Sequence, residues 1–506
     1  MKKYVLSVDQ STQGTKAMIF DEAGAMLARA DLPHRQIVSS AGWVSHDPEE
    51  ILRNTLQVAG LAAEKAGVDL KEIVCMGISN QRETTVAWDR VTGKPICDAI
   101  VWQCARATEV CAEIEKTGIG EAVRERTGIP ISPYFPAAKM AWILRSVPEA
   151  AEKAREGRLC LGTVDAWLVW KLTGQFRTDY SNASRTQLFN LHTLAWDPEI
   201  CAAFGIDPAA LPAVTDSDAV FGETDLGGLL PKKIPVCGVL GDSHAALFGH
   251  GCLEKGMTKA TYGTGSSIMM NIGPAFAASK NGLVTSLAWK YKGQVIYVME
   301  GNLNYTGAVI TWLKDSLGLI ASAGETAELA EQAHPADTAC LVPAFTGLGA
   351  PYWRSDARAL LCGMSRTTGK KEIVRAALES IACQIRDVIA AMEKDTGIRL
   401  PLLRVDGGPT RNRYLMQFQS DLLATPVSCP NAEELSGIGA ACMAGLSCGL
   451  YDESVFRRLS YRAYTPAMGE EERQTRIDRW AAAVRQMVQM LCHSTANHLR
   501  FSIILE

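Results

Sequence analysis

Three polar turns in this chain carry the residue types that hold phosphate and its counter-ions. The first, Asp9-Gln10-Ser11-Thr12-Gln13-Gly14-Thr15-Lys16, joins apolar runs at 4–8 and 16–20. Backbone N–H groups in such a turn can form an anion-binding concavity, and the hydroxyls of Ser11, Thr12 and Thr15 add donors. Asp9 suits a hydrated magnesium ion, which takes oxygen ligands and keeps several waters. Lys16 supplies a mobile positive charge for phosphate. The second turn, Gly263-Thr264-Gly265, follows residues 258–262 and precedes the apolar run 268–270. Its glycines let the backbone approach a phosphate closely. The third, Asp406-Gly407-Gly408, follows residues 402–405 and leads through Asn412 into the helix-like stretch 415–419. Its glycine pair leaves room for a flat ring such as adenine. Taken singly, each is an ordinary turn. None is a Walker loop, because G-x-x-x-x-G-K-[ST] is absent from the chain.

The elements that must position these turns follow a repeated plan. The first thirty residues read as strand, turn, strand, turn, strand. A helix start follows, with Asp47 as N-cap, Pro48 at the first helical position, and Glu49 and Glu50 in the first turn. The apolar run 73–78 ends at Ser79-Asn80-Gln81-Arg82-Glu83. Strand, phosphate-sized turn and strand recur from residue 258. At 506 residues the chain exceeds the ~250–300 at which a single core stops growing. Two α/β domains, 1–250 and 251–491, with a ligand cleft between them, are therefore expected. Residues 471–491 have helical periodicity, with Ile477, Trp480, Ala481, Val484, Val488 and Leu491 on one face.

Composition narrows the functional classes. A formal net charge of -4 gives no field for holding nucleic acid or an anionic membrane. No apolar run approaches the ~20 residues of a membrane span, and the richest, 159–172, is interrupted by Thr163, Asp165 and Lys171. The N-terminus lacks a signal-peptide pattern, so a cytoplasmic protein is expected. The fifteen cysteines are scattered without C-x-x-C spacing, which points to buried thiols in a reducing compartment.

The order of the turns, strand-Asp-x-x-Thr, Gly-Thr-Gly and Asp-Gly-Gly, resembles the phosphate-1, phosphate-2 and adenosine elements of actin-like ATPases. The longer segments are more specific. Residues 79–85, 99–104, 182–186, 343–353 and 404–419, with the signatures around Tyr134, Pro136, Lys139 and Trp142 and from 363 to 379, resemble the FGGY-type carbohydrate kinases. Within that family the chain is most similar to the glycerol kinases. The resemblance implies two ribonuclease-H-like (actin-like ATPase) domains with an interdomain catalytic cleft. It also implies ATP-dependent phosphorylation of a polyol hydroxyl, glycerol above all, with Mg²⁺. Asp242 aligns with the catalytic base, and the polyol pocket maps onto Arg82, Glu83, Trp102, Tyr134, Asp242 and Ser243. ATP contacts map onto Thr12, Gln13, Lys16, Thr264, Gly265, Gly307, Thr311, Gly407, Gly408 and Asn412, and metal ligands onto Asp9 and Asp242. A homodimer or homotetramer is implied in the same way. The bland alternatives are a capped helix at Gly241-Asp242-Ser243 and a surface ion pair at Arg82-Glu83; Asp242 is expected to be both cap and base.

Some residues depart from the family pattern. Ser243 stands where glycerol kinases carry glutamine, and Ser267 where they carry an aromatic residue. Both changes remove bulk and leave a hydroxyl, which suits a larger polyol or ketose such as erythritol, a pentitol or a xylulose-like sugar. Thr12-Gln13-Gly14-Thr15-Lys16 is closer to the xylulokinase type, and Thr311 replaces a glutamine near the adenine. The loop 227–231 lacks the form linked to fructose-bisphosphate inhibition, so that regulation is not expected. Residues 492–506 match no part of the family. A non-catalytic actin-like ATP-binding protein is the remaining alternative. It would leave Arg82, Glu83, Trp102 and Tyr134 without purpose, and no DNA-binding helix pair precedes the first strand.

Overall fold

A computed structural model describes residues 2–504, with side chains through residue 489. Two mixed sheets share one topology. In the first, β1 (Tyr4–Gln10) pairs antiparallel with β2 (Gly14–Phe20), and β2 with β3 (Met26–Pro33). On its other side β1 runs parallel to β4 (Ile73–Asn80). Beyond β4, β5 (Val220–Thr224) forms the edge beside β6 (Ile234–Gly241), which is parallel to β4.

The second sheet repeats the plan around β7 (Thr258–Tyr262). Antiparallel neighbours lie to one side: β8 (Ser266–Gly273), then, outermost, β9 (Val284–Tyr291) paired with β10 (Gln294–Leu303), which itself pairs with β8. Parallel neighbours β11 (Leu403–Asp406) and β12 (Val427–Pro430) lie to the other, closed by antiparallel β13 (Tyr461–Tyr464). This is the expected pair of ribonuclease-H-like sheets. Central β1 is buried along its whole length, as a strand covered on both faces must be.

The helices cover the sheets. α1 (Pro48–Ala66) begins as its sequence dictates: the Asp47 carboxylate accepts from the Glu49 N–H, and Gly67 at φ 62° ends the helix. α2 (Asp242–Gly249) springs directly from the end of β6. α3 (Lys370–Thr396) packs under β8 and β10. α4 (Leu435–Ser447) and α5 (Glu470–Ile504) follow. On α5 the buried face is Ile477, Trp480, Ala483, Val484 and Met487. Ala481 is only half buried, so the face is turned slightly from the expected one, and Leu491 lies outside the described side chains. No described helix is long and apolar enough to cross a membrane.

Helix α4 is the junction. Although it follows the second sheet's strands in sequence, it packs on α2 and on β1, β4 and β6 of the first sheet. That approach depends on missing side chains. A Cβ on Gly439 would stand 1.8 Å from the Ala245 carbonyl oxygen of α2. A Cβ on Gly77 would stand 2.3 Å from the Ala440 oxygen, and one on Gly238 would stand 2.6 Å from the Ala444 nitrogen. The Ser7 hydroxyl donates to the Gly437 carbonyl at 2.7 Å. Gly439→Ala is therefore expected to push α4 off α2 and destabilise the protein by about 1–3 kcal/mol, the ordinary cost of overpacking. Urea unfolding checks this, and an unchanged midpoint would mean that the two helices are free to part.

Candidate active site

The site forms where β1, β4 and β6 end, facing the second sheet. Asp242 opens α2. It is not the cap that the sequence suggests: Gly241 holds the N-cap position and Asp242 is the first helical residue. One Asp242 carboxylate oxygen accepts from the Ser243 N–H at 2.6 Å and lies 3.2 Å from Arg82 Nε. The Asp242 side chain is 36% exposed, against 5% for Arg82. A reachable carboxylate thus borders a buried cation.

Arg82 and Glu83 are both buried and are not paired with one another as a surface couple. Arg82 donates through Nη1 and Nη2 to the two oxygens of Glu300, at 3.0 and 2.9 Å. Glu83 accepts from Arg185 Nε at 2.6 Å, and Arg185 Nη1 lies 2.9 Å from Glu300 Oε2. Glu300 sits on β10 with no exposed surface. Burial alone would push its carboxyl up, but Arg185 and Arg82 hold it well below the usual range. Burial works against the Arg82 charge, and Glu300, Glu83 and Asp242 more than offset it. Glu83 also has φ 61°, a left-handed backbone that a non-glycine residue adopts at a cost.

An aromatic wall stands beside these charges. The Trp102 and Tyr134 rings are 5.4 Å apart, and Trp102 Nε1 donates to the Thr12 hydroxyl at 2.9 Å. That bond ties the wall to the first polar turn. Lys139, fully buried, donates to the carbonyls of Pro133 and Tyr134, each at 2.5 Å. Burial lowers its ammonium to about 7, so it serves as an internal clamp on the Tyr134 loop. Ser243 and Ser267 are both half buried near this group, and the Ser267 hydroxyl donates to Glu300 at 3.0 Å. A cavity of about 580 Å³ reaches Tyr134, Arg185 and Glu300 and continues past Ser132, Asn302 and Trp353.

The phosphate-type turns are brought to the same junction. Asp9 is buried and accepts from the Ser79 hydroxyl at 2.9 Å. Burial raises its carboxyl to about 6, with Lys16 opposing and the charge of Asp242 adding to the rise. Gln13 is exposed at the hairpin tip and Thr12 half buried. Lys16 departs from expectation: its ammonium is paired with Glu434 at 2.6 Å, just before α4, rather than standing free over the turn. Glu434 is also paired with Arg29, at 2.7 Å. The Gly263–Gly265 turn docks on the short helix Gly307–Thr311. Gly263 accepts from the Gly307 N–H at 2.9 Å, and Thr264 from those of Thr306 and Ala308 at 2.9 and 3.1 Å.

Gly307, Thr311, Gly408 and Asn412 together line a cavity of about 760 Å³. Thr12, Gln13, Lys16, Thr264, Gly265 and Gly407 lie outside its lining. Gly407 has φ 97°, and a Cβ there would meet the Tyr262 carbonyl at 2.0 Å, so only glycine permits this turn. Asn412 is also structural. It caps the helix Arg413–Leu423 through the Leu415 N–H and donates to the Thr326 hydroxyl, each at 2.9 Å.

Sequence reasoning missed Glu300, Arg185, Lys259 and Glu434. Lys259 is buried on β7, with Nζ 2.9 Å from the Thr261 hydroxyl and 3.5 Å from that of Ser267. A carboxylate or ammonium inside an apolar strand, as in Val298-Met299-Glu300, was the available signal, since such charges need partners.

Known proteins share the sequence and the fold. Residues 4–249 match the N-terminal domain of the FGGY family of carbohydrate kinases, and residues 258–448 match its C-terminal domain. This chain belongs to the FGGY family of carbohydrate kinases. It is 48% identical to glycerol kinase 1 of Thermotoga maritima over 96% of its length and 99% of the relative's. The glycerol kinase of Symbiobacterium thermophilum is 46% identical over 96% and 98%. Among solved structures, that of Plasmodium falciparum glycerol kinase with ADP superposes with a TM-score of 0.90 at 34% identity, covering 96% of this chain and 98% of that one. Xylulose kinase from Lactobacillus acidophilus shares the fold, with a TM-score of 0.87 at 20% identity over 97% and 98%.

The buried charges should be measurable in stability. Glu300→Ala leaves two buried guanidinium groups with one full counter-charge and is expected to destabilise by about 3–5 kcal/mol, as breaking a buried pair usually does; denaturant titration measures it. Asp9→Asn should do the opposite. Below pH 3.8 the Asp9 carboxyl is protonated in both folded and unfolded chains. Between 3.8 and about 6 only the unfolded chain gives up its proton, so folding loses stability as pH rises through that window. Metal-free Asp9→Asn protein should therefore gain stability on the order of 2–3 kcal/mol at pH 8 and none near pH 3.5, read from unfolding midpoints at the two pH values.

Proposed function

We propose that this chain transfers the terminal phosphoryl group of ATP to glycerol, giving sn-glycerol 3-phosphate and ADP. The observation that carries this reading is the Asp242 carboxylate, accessible yet held beside Arg82, at the edge of the Trp102–Tyr134 wall. Phosphoryl transfer needs alignment, charge neutralisation and an acceptor for the proton of the attacking hydroxyl. Asp242 is that acceptor. Arg82 donates to substrate hydroxyls, Glu83 accepts from them, and Trp102 and Tyr134 pack on the carbon chain.

The turns at Thr12, Gln13 and Lys16 and at Thr264 and Gly265 hold the phosphates. Gly307, Thr311, Gly407, Gly408 and Asn412 receive the adenosine. Lys16 can turn to phosphate without stranding Glu434, because Arg29 keeps that carboxylate paired. Asp9 and Asp242 suit a magnesium ion, which is held through one or two carboxylates together with phosphate oxygens and waters. Among the described residues no larger cluster of metal-binding side chains occurs, and magnesium requires none. When bound, the ion would neutralise phosphate charge. Closure of the two halves excludes water and suppresses ATP hydrolysis. We place the reaction in the cytosol, where the described cysteines, all free thiols, stay reduced, and in a homodimer or homotetramer as the family resemblance implies.

A second reading, a longer polyol or ketose as acceptor, is favoured by Ser243 and Ser267 and by the cavity reaching Tyr134 and Glu300. One assay separates the two: ADP release over glycerol, erythritol, pentitols, ketopentoses and hexitols. Glycerol is expected to give the highest kcat/KM, and a longer acceptor that surpasses it would replace it. Asp242→Asn should lower kcat by ~10²–10⁴-fold, and full activity in that variant would remove the proposed base.

A further inference from the structure

Away from the substrate groups, two cysteines from opposite halves of the sequence meet at the junction. Cys75 lies on β4, fully buried, and Cys448 directly follows α4 at its C-cap, exposed. Their sulfur atoms are 3.1 Å apart. A disulfide bond is ~2.03–2.05 Å long, so joining them asks for a movement of about an ångström. Both thiols sit over the last turn of α4, Cys75 3.7 Å from the Ala444 carbonyl and Cys448 3.5 Å from that of Gly445. The buried Cys237 of β6 lies 3.8 Å from the same Ala444 carbonyl.

We propose that Cys448 and Cys75 form a reversible disulfide, made by a hydroperoxide, that fastens α4 to the first sheet and stops closure of the cleft. Cys448 faces solvent and acts first. Its thiolate sulfur attacks one peroxide oxygen, the O–O bond breaks, and the departing oxygen takes a proton to leave as water or an alcohol. Cys448 is then a sulfenic acid. The Cys75 sulfur attacks that sulfur, the S–O bond breaks, and hydroxide leaves as water with the Cys75 proton. The two thiols supply both electrons that the peroxide accepts. Hydrogen bonding from Cys75 and from the Leu450 N–H holds the Cys448 thiol down at about 7, against the pull of burial, so its thiolate is available at neutral pH.

The place of the bond determines its effect. Helix α4 meets β4 and β6 through glycines, with backbone against backbone at Gly77 and Gly238. Elsewhere Ile438, Ala441 and Met443 of α4 pack into one core with Val5, Cys75 and Leu240 of the first sheet. The smooth backbone contacts at the glycines leave room for the small slides of packed elements that make up the shear mode of domain closure. β4 runs on into Arg82 and Glu83, and α4 packs on α2, which begins with Asp242. A covalent link across that contact fixes the elements that carry the substrate groups. Another facing pair, Cys340 and Cys362, lies opposite in register on two strands already joined by backbone hydrogen bonds. A bond there restrains nothing new.

The test uses the full-length enzyme treated with hydrogen peroxide, with thiol alkylation and mass spectrometry of proteolytic fragments, and initial rates measured in parallel. The expected result is a Cys75–Cys448-linked peptide whose yield tracks loss of phosphorylation, reversed by dithiothreitol. Cys448→Ser should keep its basal rate and resist peroxide, whereas Cys362→Ser should respond as the parent does. Recovery of Cys448 as sulfinic acid with Cys75 still alkylatable would overturn the pairing. A linked peptide with an undiminished rate would overturn the hinge. The activity arm rests on the proposed acceptor, so an untreated enzyme idle on glycerol would fail that reading, while the linked peptide still decides the pairing.

Discussion

Glu300 is the charge on which the two halves of the molecule agree. It comes from the second sheet, has no contact with solvent, and receives both guanidinium groups that the first half contributes, Arg82 and Arg185. With Glu83 the group is balanced, two cations against two anions, and only Asp242 at its border reaches water. A buried ion cluster adds little net stability over apolar packing. What it adds is orientation: neither arginine can swing away without leaving charge unpaired in a medium where that is costly. Arg82 therefore presents its Nε edge to Asp242 and the cleft.

Asp242 is held from behind by small residues. Its helix can lie against α4 because Gly439 and Ala245 meet backbone to backbone, and α4 can lie on the first sheet because Gly77 and Gly238 leave it room. The same arrangement serves two needs. Close packing sets the carboxylate within reach of Arg82, and smooth packing lets the halves move. A bulkier residue at Gly439 would spoil the first, because a Cβ there overlaps the Ala245 carbonyl, and would hinder the second.

Much of this was legible in the sequence, for identifiable reasons. Strand β1 reads as a strand because Tyr4 to Val8 is apolar but for Ser7. The repeated strand–turn–strand plan around Asp9 and Gly263 marked two related sheets, and Asp47-Pro48 marked the start of α1. These features are legible because neighbouring residues decide them. Glu300 was not legible as a partner of Arg82 and Arg185, because no short-range pattern links residues so far apart in the chain. The pairing of Lys16 with Glu434 was hidden in the same way. Asp242 was misplaced by one position, since Gly-Asp-Ser supports capping by Asp as well as by Gly, and only the backbone geometry chooses. Helix α4 is apolar on most of its surface, so nothing in its periodicity said which sheet it would cover.

The site keeps several groups in states that folding alone would not choose. Asp9 is buried with a raised carboxyl, Glu83 holds a left-handed backbone, and Lys139 has its ammonium lowered to about 7. Each is costly for a reason tied to position. Asp9 must sit near the end of the buried central strand to face Asp242. Glu83 must turn sharply after Arg82 so that consecutive side chains meet different partners, Glu300 for one and Arg185 for the other. Lys139 must stay inside because the carbonyls it holds belong to the Tyr134 loop. These costs are bearable because Asp9 and Glu83 lie at the ends of buried strands and Lys139 on the buried face of the helix Pro136–Ser146, each next to apolar core. A cation brought in by a ligand would relieve the buried Asp9 carboxylate, so the group that weakens the free fold favours the loaded form.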